Sequence, residues 1–302
     1  MIASVDATGM RESGIVVAVA LGALQGAVEW LPVSSEGFVA VAVNALGAEP
    51  SVAVRLALFL HLGTALAATA FYREDLRALA TGGADEDATL AADRRFLVVA
   101  TLVSGVVGIG AYLLLEAVVS ALAGGAFLAL VGVLLVGTGL LLRATSERRL
   151  ADGGSAAVDE EPAGDGSESA AWWTPAGDRE RPDLADAALV GVCQGVAVLP
   201  GVSRSGTTVG ALLLRGHDGP RSLQLSFLLS IPAAVGAAGI AVADGGLPAV
   251  TPVEATVALA VAAVVGYLTV DLLTRLVRRV AFWAVCVGLG ALAVLSGLGA
   301  AL

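Results

Sequence analysis

Two stretches of the chain are imperfect copies of each other: Gln25-Gly26-Ala27-Val28-Glu29-Trp30-Leu31-Pro32-Val33-Ser34-Ser35-Glu36-Gly37 and Gln194-Gly195-Val196-Ala197-Val198-Leu199-Pro200-Gly201-Val202-Ser203-Arg204-Ser205-Gly206. Gln-Gly, Val-Ser and the final Gly keep their offsets, and only the proline slips by one position. Each copy interrupts apolar sequence with hydroxyls, glycine, proline and charge. In a membrane, backbone broken in this way is tolerated where it is buried in protein or lines a cavity, and such breaks mark ligand sites.

Working outward, the rest of the chain supplies the membrane. It is 57% hydrophobic with 38 glycines, and its mean hydropathy is +0.86, outside the range of soluble globular domains. Apolar runs long enough to span a bilayer lie at 53–72, 96–115, 124–142, 223–243, 254–275 and 280–301. Regions 14–47 and 184–216 are apolar but broken by the two motifs. The first carries Gln25, Glu29 and Pro32 and no clear small-residue cleavage site, so it reads as retained and not as a signal peptide. The expected fold is an all-α polytopic membrane protein of two inverted-topology repeats, each a re-entrant helix pair plus three transmembrane helices. The first repeat covers 1–142, an acidic flexible loop 143–183, and the second repeat 184–302.

Arginine placement gives an independent test. If each broken region enters and leaves on one side, three spans separate the pairs and the second pair enters from the opposite face. Fourteen arginines then fall on one side, only Arg11 and Arg55 on the other, and Arg204 within the second motif. This positive-inside bias puts the Arg-rich loops in the cytoplasm and both termini outside. The net charge of −10 with no lysine fits a halophilic, archaeal setting and argues against a nucleic-acid partner. Residues 143–186 hold eleven acids and five arginines, a solvated composition. Cys193 and Cys286 are isolated in apolar segments and read as structural. Trp30, Trp172, Trp173 and Trp283 read as packing or interfacial residues.

Three charges lie at membrane depth: Glu29, Glu36 and Arg204. Left unpaired they would cost roughly 8–10 kcal/mol on insertion scales, so they must face one another or a polar cavity. Arg204 brings a planar donor fork suited to phosphate oxygens. Ser203, Ser205, Thr207 and Thr208 surround it with hydroxyls, and Gly201 and Gly206 leave backbone accessible. If a half-helix begins there, its free N–H groups and dipole favour an anion. The stretch lacks the Gly-Lys-Ser/Thr ending of a nucleotide-binding loop, which disfavours ATP. Gln25 and Glu29, four apart, share a helix face, and Ser34, Ser35 and Glu36 follow the proline break. A carboxylate beside a phosphate site needs a role, either as a divalent-cation ligand or as a general base. Ser35 is then either a nucleophile or a phosphate-binding hydroxyl.

These residues carry a resemblance. Gln25-x-x-x-Glu29 with Leu31-Pro32-Val33-Ser34-Ser35-x-Gly37, and Pro200-Gly201-x-Ser203-Arg204-Ser205-Gly206-x-Thr208, resemble the two signatures of the undecaprenyl-pyrophosphate phosphatases of the bacitracin-resistance type. Leu62-Gly63-Thr64 and Ser226-Phe227-Leu228-Leu229 before Pro232 support it. The resemblance implies a membrane phosphatase that converts a polyprenyl diphosphate to the monophosphate and recycles a lipid carrier, with an intramembrane site opening outward. It implies a divalent cation (Mg²⁺ or Ca²⁺), with Glu29 as the metal ligand. It also implies Glu29, Ser35 and Arg204 as catalytic residues, with Glu36 as a candidate base. Gln25, Ser34, Gly201, Ser203, Ser205, Gly206, Thr207 and Thr208 are the expected substrate-binding set. Two departures stand out: Gln25 occupies a position that is often Glu, and Phe38 stands where bacterial members carry a functional His. Glu36 is one replacement for that His. His61, in the first full span, is another, although its simpler reading is structural. His217 is assigned no role. A lipid carrier that translocates a polyprenyl phosphate is the alternative function, because broken-helix repeats are also transporter architecture. A homo-oligomer is compatible with the sequence.

Overall fold

The computed structural model describes residues 7–82, 87–119, 122, 124–151, 179–243, 250–276 and 281–299. All regular structure among them is helical: α1 (Ala7–Val28), α2 (Ser35–Ala45), α3 (Pro50–Phe71), α4 (Arg73–Thr81), α5 (Ala88–Val119), α6 (Gly124–Ala151), α7 (Leu184–Val196), α8 (Arg204–Leu214), α9 (Gly219–Ala243), α10 (Pro252–Leu276) and α11 (Phe282–Gly299). Six of these, α3, α5, α6, α9, α10 and α11, contain stretches long and apolar enough to span a membrane. They coincide with the six apolar runs of the sequence. The two broken regions appear as the short-helix pairs α1–α2 and α7–α8, each interrupted at its motif. Of the acidic region, 143–151 continues α6, while 152–178, including Trp172 and Trp173, lies outside the described residues. The short amphipathic helix α4 was not anticipated; it carries Arg73 and Arg77 with Glu74 and Asp75 and buries no residue.

Packing partners interchange between the halves. Helix α1 packs on α10 as α7 packs on α5, α2 on α3 as α8 on α9, and α3 on α10 as α9 on α5. Helix α3 also packs on α9, and α6 on α11. The last pair is held by close backbone approach. A Cβ on Gly132 would lie 2.6 Å from the Gly290 carbonyl oxygen, one on Gly139 2.7 Å from that of Trp283, and one on Gly297 2.4 Å from that of Gly125. Glycines spaced by seven therefore meet in antiparallel register, as small residues do where membrane helices approach closely.

The start of α7 and the end of α8 carry a polar latch. Asp183 caps α7 by accepting from the Asp186 N–H, and the Asp186 side chain returns to the Asp183 N–H, a reciprocal capping box. That backbone hydrogen bond holds the Asp183 carboxyl at about 2, below its ordinary 3.8. The stabilisation is thus complete above the ordinary value and is lost as pH falls through about 2. Arg179 and Arg215 pair with both aspartates. His217, fully buried, sets Nε2 3.0 Å from Asp186 Oδ2 and Nδ1 2.8 Å from the Arg179 carbonyl, a structural assignment. The Arg221–Asp93 ion pair and the Gln224–Asp75 hydrogen bond (2.7 Å) tie α9 to α5 and α4 at the same end.

Candidate active site

Both motifs fold by capping. Ser34 has φ 58°, the one non-glycine residue with positive φ among those described. From there its Oγ accepts from the Gly37 N–H at 3.3 Å, starting α2, and from the Gly201 N–H at 2.9 Å, clasping the other motif. Ser203 caps α8 by accepting from the Gly206 N–H at 3.1 Å. Gly201 itself has φ 104°, and a Cβ there would lie 2.5 Å from the Val131 carbonyl oxygen, so only glycine fits. Thr138 of α6 completes the clasp, donating to the Gly201 carbonyl at 3.0 Å and accepting from the Ser203 N–H at 3.3 Å.

The charges predicted to need partners have found them in one another. Arg204 pairs with Glu29 through Nη2 and Oε1 and also donates to the Ser226 carbonyl at 3.4 Å. The second Glu29 oxygen accepts from Ser35 Oγ at 2.6 Å and from Gln25 Nε2 at 2.8 Å. His61 Nε2 stands 3.2 Å from that oxygen, 3.5 Å from Glu36 Oε1 and 3.4 Å from Ser35 Oγ. Its Nδ1 lies 2.8 Å from the Ala57 carbonyl. This contact takes Nδ1–H as donor and leaves Nε2 facing the Glu29 and Glu36 carboxylates and Ser35. Glu29, Ser35 and His61 are each more than nine-tenths buried.

Glu29, Ser34, Ser35, Glu36, Ser203, Arg204 and Ser205 thus converge, with His61, on one polar hollow. It adjoins a cavity of about 320 Å³ that shares Glu29, Glu36, His61 and Arg204 in its lining. Ser205, within the hollow, donates to the Leu31 carbonyl at 3.1 Å. Other expected binding residues are occupied elsewhere: Thr207 donates to the Ser203 and Arg204 carbonyls, and Thr208 bonds the Arg204 carbonyl and Ser226 Oγ (2.7 Å). Gly201, Gly206, Thr207 and Thr208 do not line the hollow; they hold the half-helix that carries Arg204. Gln25 orients Glu29 from behind, with its own Oε1 buried and unpartnered. Phe38 packs beside the apolar cluster of Trp30, Val33 and Phe227. Trp30 is buried and donates to the Gly266 carbonyl, so it is a core residue and not an interfacial one. Residue-level reading of the sequence left Thr138 out and gave His61 only a secondary place. The available signal was an imidazole in mid-span, where an ionisable side chain is a functional hypothesis by default.

The family model "Bacitracin resistance protein BacA" matches residues 18–294. The chain belongs to this family. Among curated relatives, the protein of Haloarcula marismortui named "Undecaprenyl-diphosphatase" is 52% identical over 95% of this chain and 99% of its own length. Proteins of the same name from Methanococcoides burtonii and Methanopyrus kandleri are 35% and 36% identical, over 92% and 96% of this chain and 97% and 99% of theirs. The family assignment and the six apolar helices identify a multi-pass membrane protein. The acidic, lysine-free composition agrees with the similarity to a Haloarcula protein.

Proposed function

We propose that the chain hydrolyses a long-chain polyprenyl diphosphate of the undecaprenyl or dolichyl type to the monophosphate and phosphate, recycling a lipid carrier for glycan assembly. The observation that carries this reading is Ser35 Oγ donating to Glu29, whose other oxygen is held by Arg204, beside a cavity within the bilayer-spanning part. The names of the BacA relatives support the same substrate class.

In this reading the diphosphate draws the Arg204 guanidinium off Glu29, and bidentate contact to phosphate oxygens replaces the ion pair. Glu29, released, is the acceptor already hydrogen-bonded to the Ser35 proton, with His61 Nε2 behind it. Attack by Ser35 Oγ on the terminal phosphorus forms an O–P bond, breaks the P–O–P bond and releases the prenyl monophosphate. Water then cleaves the phosphoserine. If water attacks the phosphorus directly, the same acceptors take its proton and no phosphoserine forms. Arg204 stabilises the charge on the transferring group in either route.

A divalent cation, Mg²⁺ or Ca²⁺, belongs to the proposal. The hard oxygen donors that line the site, Glu29 and Glu36, suit such ions. Glu29 is already saturated by Arg204, Ser35 and Gln25. The donors therefore fit an ion shared between one or two carboxylates and the diphosphate better than a resident one. Bound, it would neutralise charge on the phosphate oxygens.

The interchange of packing partners and the antiparallel pairing of α6 with α11 support reading the halves as inverted repeats, with both termini outside. That architecture also favours the second reading, translocation of a polyprenyl phosphate.

Phosphate release from a long-chain polyprenyl diphosphate, measured on purified protein at high salt with Mg²⁺, Ca²⁺ or chelator, tests the proposal. Cation-dependent release that Arg204→Ala abolishes supports it, and no release under any condition with lipid still bound sinks it. Ser35→Ala separates the routes. Loss of hydrolysis with a phosphoserine trapped in the unaltered protein indicates the covalent route. Transport preserved in that variant would add the carrier reading.

A further inference from the structure

The two interchanged interfaces differ in how closely their glycines approach the facing helix, and the difference lies next to the site. Helix α3 meets α10 as α9 meets α5. At the first contact the backbones touch: a Cβ on Gly63 would lie 2.7 Å from both the Leu259 carbonyl oxygen and Ala262 Cβ. At the second, Gly105 of α5 and Gly236 of α9 have nothing within 4 Å of an added Cβ. Both glycines are exposed on the outside of the bundle, and both also line the 320 Å³ cavity. The cavity is therefore a gap between α5 and α9 that reaches from the charged groups to the surface facing the bilayer.

Its lining changes character along its length. Glu29, Glu36, His61 and Arg204 stand at one end, and Ile109, Val198, Ala237 and Ile240 belong to its apolar part. Ile109 is 51% exposed, so the apolar part is continuous with lipid-facing surface. Pro232, inside α9, also lines it; lacking an N–H, it leaves one turn of that helix without a backbone bond. A ligand filling this space meets charged groups at one end, where Arg204 can take phosphate oxygens, and hydrocarbon at the other. Because the gap opens sideways, it can hold part of a ligand whose remainder lies in the bilayer.

We propose that the first isoprene units of the prenyl chain lie between α5 and α9 and that the rest of the chain leaves through the Gly105–Gly236 gap into the bilayer. The proposal rests on the diphosphatase reading above. It makes the enzyme sensitive to the units next to the diphosphate and indifferent to chain length beyond the gap.

The test compares Gly105→Leu and Gly236→Leu with Gly110→Leu and Gly239→Leu. The second pair lies on the same helices, exposed and with equally open Cβ positions, but does not line the cavity. Side chains placed in the gap are expected to raise KM for a long-chain polyprenyl diphosphate by about tenfold or more, with kcat little changed and the controls unaltered. Test variants that match their controls, or that lose kcat at constant KM, would overturn the proposal. A second arm uses a polyprenyl diphosphate with a photoreactive group on its first isoprene units, mapped by peptide mass spectrometry. Adducts on 101–109 and 230–240 support the placement, and adducts confined to other helices overturn it. This arm reads binding alone, so a wild-type protein that releases no phosphate would remove the hydrolase reading while the location of the chain is still decided.

Discussion

Ser35 donates to Glu29 at 2.6 Å and lies 3.4 Å from His61 Nε2, and Glu36 touches only the imidazole. The imidazole on α3 thus stands at the hollow, while Phe38 packs beside an apolar cluster. His61→Gln keeps polar contact but removes the titratable ring; it is expected to lower kcat/KM about 10²–10⁴-fold with thermal stability retained and one limb of the pH–rate profile lost. A melting-temperature loss with turnover per folded molecule intact would instead mark His61 as structural. Glu36→Gln, acting through His61, should add little to that variant, since residues in one network are not additive. Glu29 and Arg204 were legible in the sequence because a charge in hydrocarbon demands a partner. The use of the hydroxyls was not. Thr207 and Thr208 look like ligands on paper, yet each bonds a carbonyl of its own helix, whereas Ser34 and Ser203 cap helices by accepting and also line the hollow. Composition counts hydroxyls but does not say which backbone groups the breaks in the helices leave unsatisfied.

At the scale of elements, the six spans and two broken pairs follow from apolar run length and from where it is interrupted. Helix α4 escapes that logic, because nine amphipathic residues carry no span signal. The α6–α11 register escapes it too: Gly132, Gly137 and Gly139 are alike in sequence, while only Gly132 and Gly139 meet a backbone and Gly137 faces open space. Gly132→Val should overpack the contact and cost about 1–3 kcal/mol, seen as a lowered melting temperature in detergent. Gly137→Val should leave the melting temperature unchanged. Equal effects at both positions would mean that the glycines serve composition and not the antiparallel contact.

Across the whole molecule, charge and site position combine. Arg73 and Arg77 on α4 and Arg179, Arg215 and Arg221 around α7–α9 gather at one end, joined by the Arg221–Asp93 and Gln224–Asp75 contacts; Arg55 stands near the opposite end, at the start of α3. These arginines share one face of the bundle, and the positive-inside rule predicts that this face is cytoplasmic. Labelling tests the orientation in a Cys193→Ala, Cys286→Ala background with a membrane-impermeant maleimide. Glu49→Cys, exposed at the opposite end, is expected to react in intact cells, and Arg77→Cys only after permeabilisation. The reverse pattern would invert the molecule. The result bears directly on the reaction, because the cavity takes residues 101–109 of α5 and 230–240 of α9. Those segments run from mid-helix toward the Arg-poor end. With Arg77 inside, the cavity would open toward the outer half of the bilayer, and with Arg77 outside toward the inner half.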